Sequence, residues 1–306
     1  MTTVTGRGPA RRLTSTSALR ASGRICTRST TPAESSSRQV RGIVVDHAPH
    51  PWLTVITVVK DAPADLARTL ASVASQDLSS VEYLVIDGSN DRDGVPEVLA
   101  RFPALTTAYV WREPSGIYPA MNEGLTLARG DYVYFANAGD VFFDTEVLGR
   151  VRKATESMSP AWLFGEVEIL SESGQRVITE RWDYADEQAT CFSRGRFPCH
   201  QGTFTRRALL LDQGGFDTSY SIVADYAAFL KFTLVSDPTH LDFIIATFAE
   251  GGVSTTRWRE SFRQFHRARR EILKPRGPLA LREYGETVKN YAAVEVYRSV
   301  WSKIAR

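Results

Sequence analysis

The most constraining feature of this sequence is a run of seven leucine and β-branched residues, Leu53–Val59. A continuous run of this kind is typical of a strand that is buried on both faces of a parallel sheet. Pro63 then opens a helical pattern, with Leu66 and Leu70 on one stripe, that ends near Gln76. The segment therefore predicts a strand followed by a helix, which is the first unit of a doubly wound α/β fold.

The same alternation continues as far as residue 135. Strands are predicted over 82–86, 107–111 and 132–135, and helices over 96–101 and 119–128. Strands and helices that alternate with short connections indicate a Rossmann-like, mostly parallel sheet with helices on both faces. Ligands of such sheets bind beyond the carboxyl ends of the strands, so polar residues at those ends are the candidates for a site.

Beyond residue 160 the pattern loosens and predicts a smaller, mixed layer packed on the first. A hairpin is expected from 162–170 and 176–182, helices from 203–213 and 225–235, and a late strand over 241–249. The folded domain then spans 50–256, with one half over 50–160 and the other over 161–256.

Charge is spread unevenly, although the formal net charge is only +2. Residues 1–42 carry eight Arg and one acid, and residues 257–306 carry 13 basic and 5 acidic residues. The remaining middle holds 16 basic and 29 acidic residues. An acidic body is unlike a dedicated nucleic-acid binder, whose positive charge would cover the working face. It suits carboxylates that hold a metal ion.

The two ends of the chain differ from the body. Residues 1–49 are predicted to be a disordered basic leader, because they are rich in Ser, Thr and Arg and nearly free of large apolar side chains. Residues 257–306 predict a basic amphipathic helical extension, with Trp258, Phe262 and Phe265 at helical spacing. Helices that pack on the body are one interpretation. A peripheral anchor, with the aromatic face in the lipid headgroup region, is the other.

The expected location is the cytoplasm, with the inner face of the plasma membrane as the alternative. No segment has the ~20 consecutive apolar residues of a membrane-spanning helix. Cys26, Cys191 and Cys199 lack the spacing of a zinc site and cannot form an even disulfide framework.

Three carboxylates fall where a ligand of the sheet would bind. Asp87 directly follows the second strand, Asp140 follows the fourth, and Asp225 lies at the start of a predicted helix. Singly, each has a structural interpretation as a turn residue, a loop carboxylate or a helix cap. Two of them at strand ends of one sheet would converge on one crevice, which favours a functional role.

These residues lie in motifs that resemble the family 2 inverting glycosyltransferases, whose nucleotide-sugar-binding fold is called GT-A. The motifs are 54–59, 87–88, 113–124, 130–132, 137–140, 198–201, 214–217, 224–226 and 251–254. They occur in the family's order and cover roughly residues 52–256. The resemblance is nearest to bacterial enzymes that build capsule, exopolysaccharide or glycolipid glycans.

The resemblance implies a nucleoside-diphosphate sugar as donor. The nucleotide-binding residues that it implies are Thr57, Val58, Val59, Asp87 and Asn122. Asp140 would bind Mg²⁺ or Mn²⁺, because hard cations prefer oxygen ligands and readily add phosphate oxygens to them. The ion would neutralise charge on the departing diphosphate.

The resemblance also implies that Asp225 is the general base, which takes the proton of a glycan or lipid-linked acceptor hydroxyl as it attacks. A glycoside hydrolase would instead need two carboxylates that flank the bond. His200, Gln201, Gly251 and Gly252 are implied to contact the donor or acceptor sugar. The two glycines are expected in a loop that passes close to the site, and glycine at both positions permits positive φ there.

Some positions depart from the family pattern. Ser115 and Pro119 stand where this subset usually has Asp, and Asn137 and Ala138 replace a usual second acid. The alternative is therefore a catalytically degenerate module that binds a nucleotide sugar or a glycan. A nucleotidyltransferase or a dinucleotide oxidoreductase would need a glycine-rich loop after the first strand, and residues 60–63 do not provide one.

Overall fold

A computed structural model describes residues 50–171, 173–179, 192 and 197–304, with side chains described as far as residue 296. The predicted leader 1–49 lies outside the described residues. The strands are β1 (Leu53–Val59), β2 (Val81–Asp87), β3 (Ala108–Trp111), β4 (Tyr132–Phe135), β5 (Val141–Phe142), β6 (Trp162–Leu170), β7 (Arg176–Ile178), β8 (Thr203–Arg206) and β9 (Thr239–Ala249).

The helices alternate with these strands and then follow them. They are α1 (Pro63–Ala74), α2 (Gly94–Leu99), α3 (Ile117–Leu127), α4 (Val147–Met158), α5 (Arg207–Asp212), α6 (Ala224–Phe232), α7 (Val253–Thr256), α8 (Trp258–Leu273) and α9 (Pro278–Ile304). Within the described ranges, no helix is both long and apolar enough to cross a membrane.

The first half is the predicted parallel sheet with helices on both faces. Strands β3, β2, β1 and β4 lie side by side and parallel. Every residue of β1 is buried, and its side chains alternate between two apolar cores. Ile56 packs in the core that holds Met121 of α3, and Val55 packs in the core that holds Leu66 of α1. The seven-residue run is therefore continuous because both of its faces are covered.

The second half extends the same sheet, so the prediction of a separate layer packed on the first is wrong. The order across the sheet is β3-β2-β1-β4-β8-β6-β9-β5, with β7 paired to β6. Strand β8 lies antiparallel to β4, and β6 lies antiparallel to β8 and parallel to β9. The predicted hairpin is present as β6 and β7, while its expected end at 180–182 lies outside the described residues.

One predicted helix begins with a strand. Residues 203–206 form β8, and only Arg207–Asp212 form a helix. The Phe204 ring stacks on that of Tyr134 with 4.5 Å between centroids, so the alternation of Thr and Phe is that of a strand buried against β4. The apolar residues that follow this strand led to a predicted helix that starts at residue 203, before the observed start at Arg207.

The helical extension packs on the body. The ring of Phe265 on α8 contacts that of Tyr226 on α6 at 4.6 Å between centroids, and Trp258 contacts Tyr291 of α9 at 5.2 Å. The aromatic residues of α8 are therefore used in packing. This corrects the alternative in which the aromatic face of α8 lies in the headgroup region.

Candidate active site

The carboxyl end of β1 holds the two loops that carry Asp87 and Asp140. The carbonyl of Val59 accepts a hydrogen bond from the Gly88 N–H at 2.9 Å, and the carbonyl of Val58 accepts one from the Ala138 N–H at 3.1 Å. The Thr57 hydroxyl accepts a bond from the Tyr83 hydroxyl at 2.7 Å. Val58 and Val59 thus anchor the two loops, while Thr57 bonds to the neighbouring strand β2. The contact of residues 57–59 with a nucleotide stays a prediction.

Asp87 is fully buried at the end of β2. One carboxylate oxygen accepts a bond from the Ser89 N–H and the other from the Tyr109 hydroxyl, both at 2.8 Å. Beside it, the Trp111 indole donates to the Ser89 carbonyl at 2.9 Å, and the Arg92 guanidinium lies 3.7 Å from the centre of the indole ring. These neighbours build a firm polar recess at the carboxyl ends of β2 and β3.

Asp140 lies in a tight turn after β4. Its side chain accepts a bond from the Asn137 N–H at 2.9 Å, and its own N–H donates to the Asn137 carbonyl at 2.9 Å. Gly139 inside the turn has a φ of +106°, which favours glycine. The Thr69 hydroxyl on α1 donates to the Asp140 carbonyl at 2.8 Å and accepts from the Gly139 N–H at 2.9 Å. The turn is therefore held from both sides.

His200 links the Asp140 turn to Asp225. It lies in a short 3₁₀ turn, His200–Gly202, that precedes β8. Its Nδ1 is 3.3 Å from Asp225 Oδ2, and its Nε2 is 2.9 Å from Asn137 Nδ2. A neutral ring that donates from Nδ1 to the carboxylate accepts at Nε2 from the Asn137 amide. Three distant segments of the chain thus meet at one imidazole.

Asp225 is the second residue of α6, and both of its carboxylate oxygens have partners. Oδ1 lies 2.9 Å from the Tyr118 hydroxyl and accepts the Tyr226 N–H at 2.9 Å, while Oδ2 faces His200. The same tyrosine hydroxyl lies 2.6 Å from the Ile222 carbonyl. Tyr118 lies on α3. This helix can approach the sheet closely because residue 124 is a glycine: a Cβ at that position would be only 2.5 Å from the Ile56 side chain.

Burial and charge shift the pKa values in this cluster in different directions. Burial raises the pKa of Asp140 to about 6, although His200, the Asn137 N–H and the Gln201 side chain act against that shift. Burial also opposes ionisation of Asp225, but the bond and charge of His200 outweigh it and hold the Asp225 pKa below its usual value. For His200, burial is outweighed by Asp225, and the pKa is raised.

A divalent cation fits the Asp140 turn on the chemistry of its oxygens. Asn137 Oδ1 is buried and has no hydrogen-bond partner, so an unused oxygen ligand lies in the same turn as the Asp140 carboxylate. Among the described residues, no group of three His, Cys, Asp or Glu side chains could hold a metal alone. The fit is therefore to a hard cation that takes its other ligands from phosphate and water.

Gln201 and Asn122 are two further predicted site residues. The Gln201 carbonyl accepts a bond from the Tyr134 hydroxyl at 2.7 Å, and its side chain reaches Asp140. Both ends of the Asn122 amide bond to the Phe216 backbone at 2.8 Å, so Asn122 clamps a loop, and its contact with a nucleotide stays a prediction.

Gly251 and Gly252 follow β9. Gly251 has a φ of +110°, whereas Gly252 has a φ of −59°, so only Gly251 uses the positive φ that glycine permits. A Cβ at either position would meet no heavy atom within 4 Å. Close packing therefore does not explain these glycines, and their contact with a sugar stays a prediction.

Sequence reasoning missed the functional setting of two residues. The sequence motifs give Tyr118 no role, and they predict Asn137 only as the replacement of a usual second acid. The chain distance between Tyr118 and Asp225 is 107 residues, so no local pattern connects them. Asn137 could have been found from its motif, since an amide oxygen can replace a carboxylate as a ligand.

Comparisons with known proteins agree with the fold and the motifs. The sequence model of the family "Glycosyl transferase family 2" matches residues 54–214. An uncharacterised glycosyltransferase of Mycobacterium tuberculosis is 28% identical over 224 residues, with 68% of this chain and 78% of the relative covered. A PGL/p-HBAD biosynthesis glycosyltransferase of Mycobacterium bovis is 28% identical over 215 residues, with 67% and 80% covered.

Two solved structures share the fold. The crystal structure of S. aureus TarS in complex with UDP has a TM-score of 0.56 at 18% identity, and the match covers 72% of this chain and 66% of that one. A mannosyltransferase of Pyrobaculum calidifontis in complex with GDP-Man and Mn²⁺ has a TM-score of 0.55 at 16% identity, with 88% and 84% covered.

The sheet, its order and the helices on its faces are therefore those of a GT-A glycosyltransferase. The family match covers more than half of the chain, and the chain belongs to glycosyl transferase family 2. It is a glycosyltransferase enzyme, and its relatives include one named for PGL/p-HBAD biosynthesis.

Proposed function

We propose that this glycosyltransferase works by inversion and moves a sugar from a nucleoside-diphosphate sugar to a hydroxyl of a glycan or lipid-linked acceptor. The observation that carries the proposal is the cluster in which His200 joins Asp225 to the turn of Asp140. A single displacement needs a group that grips the leaving diphosphate and a base for the incoming hydroxyl. Here, carboxylates suited to both tasks lie in one cluster.

The donor lies, on this proposal, across the carboxyl ends of the parallel strands. The recess at Asp87 would take the nucleoside, and the Asp140 turn would face the diphosphate. Solved relatives of the same fold were crystallised with UDP, with UDP-GlcNAc and with GDP-Man, which supports a nucleotide sugar as the donor class. The nucleotide contacts proposed for Thr57, Val58, Val59 and Asn122 are secondary to those of Asp87.

Asp140 and Asn137 would hold Mg²⁺ or Mn²⁺ through oxygen. When bound, such an ion neutralises charge that develops on the leaving diphosphate. The mannosyltransferase with the same fold was crystallised with Mn²⁺. Without a cation, ionisation of the Asp140 carboxyl is disfavoured, because burial raises its pKa to about 6. A cation beside it would favour the charged form.

Asp225 would act as the general base. The acceptor oxygen forms a bond to the anomeric carbon, the bond from that carbon to the diphosphate oxygen breaks, and the hydroxyl proton passes to Asp225. Because its pKa is held below the usual value, Asp225 is ionised at neutral pH. It is a weak base in the free enzyme, so proton transfer occurs late, when attack has made the hydroxyl acidic.

His200 and Tyr118 would position the base. His200 faces one oxygen of Asp225 and Tyr118 lies 2.9 Å from the other, so the carboxylate cannot rotate without losing charge-assisted bonds. His200 in addition contacts both halves of the site, through Asn137 and Asp225. We therefore assign the sugar contact proposed for His200 and Gln201 to the donor side, next to Asp140.

The helical extension 257–306 would form one functional unit with the domain 50–256. Gln264 of α8 accepts the Ile222 N–H at 3.1 Å, and Arg269 of α8 donates to the Tyr226 hydroxyl at 3.0 Å. These contacts flank Asp225 on both sides along the chain. The extension thereby supports the start of α6, from which the base projects.

The names of the relatives suggest the class of acceptor and the location of the enzyme in the cell. Relatives named for PGL/p-HBAD biosynthesis suggest an acceptor of glycolipid type. Such an acceptor would be met in the cytoplasm at the inner face of the plasma membrane.

The proposal is tested by thermal shift against a panel of UDP- and GDP-sugars with and without Mn²⁺, followed by release of nucleoside diphosphate in the presence of acceptors. A bound donor raises the melting temperature by mass action. The proposal predicts a shift that depends on Mn²⁺ and release that depends on acceptor. A shift without release on any acceptor would favour the degenerate binding module.

A further inference from the structure

The ion pairs of α8 and α9 leave an excess of positive charge. All five acids of the extension pair with a cation: Glu260 with Arg257, Glu271 with Arg267, Glu283 with Arg269, Glu286 with Lys289 and Glu295 with Arg259. Five exposed cations have no ion-pair or hydrogen-bond partner among the described residues, and they are Arg263, Arg270, Lys274, Arg276 and Arg282. The surface is therefore basic after all internal pairing is counted.

Three of these unpaired cations line one cavity. It has a volume of about 510 Å³, lies where α8 turns into α9, and is lined by Arg270, Lys274 and Arg276. The one acid in its wall, Glu283, is buried and bonded to Arg269 at 2.7 Å, so it does not neutralise the lining cations. A cavity with this lining suits an anionic group, and phosphate is the chemistry that Arg and Lys bind in proteins.

An exposed apolar row runs along α9 beside this cavity. Leu281, Tyr284 and Val288 are 76%, 60% and 49% exposed, and Val296 is 63% exposed. With Ala292 they recur every three or four residues, so they lie on one face of the helix. Leu281 and Tyr284 also line the basic cavity. Val288 lines a second cavity, of about 270 Å³, that shares His266 with the first.

We propose that the groove between α8 and α9 docks on the surface of an anionic lipid bilayer. The basic cavity takes lipid phosphate groups, and the row from Leu281 to Val296 enters the boundary between headgroups and acyl chains. Cations that flank an exposed apolar helix face are the features by which helices lie in such an interface. This inference rests on the location at the inner face of the membrane in the proposed function and names the surface that would achieve it. Membrane docking is measured without a donor or an acceptor, so its failure is distinguishable from failure of the proposed transfer.

The unpaired cations and the exposed apolar row together favour an anionic bilayer as the partner of this groove. An anionic soluble ligand would use the cavity but leave the apolar row in water. A second copy that joined by the same face would cover the row but bring the same unpaired cations into contact. An anionic surface with an apolar layer beneath it complements both features.

The test is sedimentation of the full chain with vesicles of equimolar phosphatidylglycerol and phosphatidylcholine, and with phosphatidylcholine alone. The variant Arg270→Gln/Lys274→Gln/Arg276→Gln should bind the anionic vesicles about 125-fold more weakly, at about fivefold for each cation. Leu281→Ser/Val288→Ser should also weaken binding, and both positions are exposed, so the fold should survive. Arg101→Gln/Lys153→Gln, which removes two exposed cations of the body, is the matched control and should bind as the wild type does.

Three outcomes would overturn the proposal. The first is equal binding of the triple variant and the wild type. The second is equal binding of the wild type to both kinds of vesicle. The third is self-association of the wild type, measured by light scattering, that Leu281→Ser/Val288→Ser abolishes without any binding to vesicles, since the face would then join two copies of the chain.

Discussion

The two carboxylate recesses of this molecule are built in opposite ways. At Asp87, both oxygens are bonded to groups from the same part of the sheet, Ser89 and Tyr109. At Asp140 and Asp225, the partners come from four separate segments, and one buried oxygen, on Asn137, is left without a partner. The first recess is complete without a ligand, whereas the second is not.

This difference assigns different tasks to the two halves. A recess whose bonds are already satisfied serves as a fixed wall against which a nucleoside can be placed. The second cluster has a carboxyl group with a raised pKa and a buried oxygen without a hydrogen-bond partner. A bound ligand would complete its interactions, and groups with shifted pKa values are common in active sites. Variants at Asp225, Asp140, His200 and Tyr118 should therefore affect turnover or diphosphate binding, while variants around Asp87 should affect nucleoside binding alone.

The largest effect is expected for Asp225→Asn. The amide keeps the shape of the side chain but cannot accept the acceptor proton, so transfer should fall by about 10²–10⁴. Donor binding, measured by calorimetry with Mn²⁺, should change little, because the donor side of the cluster is intact. Normal turnover of this variant would contradict the assignment of Asp225 as the base.

Asp140→Asn should reduce Mn²⁺-dependent donor affinity on the order of tenfold to a hundredfold. The same variant should be more stable than the wild type at pH 7, by about 1–3 kcal/mol, because it removes a buried carboxylate whose pKa is raised to about 6. Calorimetric titration and thermal unfolding measure the two effects. Unchanged donor affinity would show that the diphosphate lies elsewhere.

The pH dependence of stability should follow the same carboxylate. A group with a raised pKa in the folded state binds more protons when folded, so the free energy of unfolding should rise as the pH falls from 7 towards 4. The raised pKa of His200 acts in the same direction at higher pH. Melting temperatures across this range should show the rise in the wild type and a smaller rise in Asp140→Asn. An equal rise in both proteins would mean that another group causes it.

His200→Ala should lower kcat about tenfold, since it removes a charge-assisted bond that positions the base. His240 provides a matched control, because its Nε2 lies 2.9 Å from Glu166 and both histidine side chains are 19% exposed. His240→Ala should leave kcat unchanged. Equal effects of the two substitutions would assign a structural role to His200.

The smallest effects are expected for two tyrosine variants, one in each recess. Tyr118→Phe removes a hydroxyl contact to Asp225 and should lower kcat about threefold to tenfold. Tyr109→Phe removes the corresponding contact to Asp87 and should raise KM for the donor without lowering kcat. Steady-state kinetics of the two variants measure both constants. If both variants changed the same constant, the division of tasks would be wrong.

The parallel half of the fold could be predicted from sequence because its signals are local. The run at β1, the helix opened by Pro63 and the strand Tyr132–Phe135 each depend on neighbouring residues, and the structure has all three. The continuation of the sheet through β8 and β6 could not be predicted, because it depends on the pairing of Phe204 with Tyr134 across 70 residues of chain.

The candidate site divides in the same way. Asp87 and Asp140 were found because the sequence places them at or beyond the ends of predicted strands. Their bonds to Tyr109 and to the Gln201 side chain depend on tertiary packing, as does the contact of Tyr118 with Asp225. The unused oxygen of Asn137 is also a property of the folded chain only. The sequence therefore predicted the carboxylates of the site better than the residues that hold them in place.

A crystal structure with Mn²⁺ and a nucleoside diphosphate, with the metal located by its anomalous signal, tests the central claim most directly. The account predicts a manganese peak about 2.0–2.2 Å from an Asp140 oxygen, with the nucleoside against Asp87 and the Asp225 carboxylate facing the space left by the sugar. A metal bound by other residues, or an Asp225 side chain turned away from that space, would contradict it.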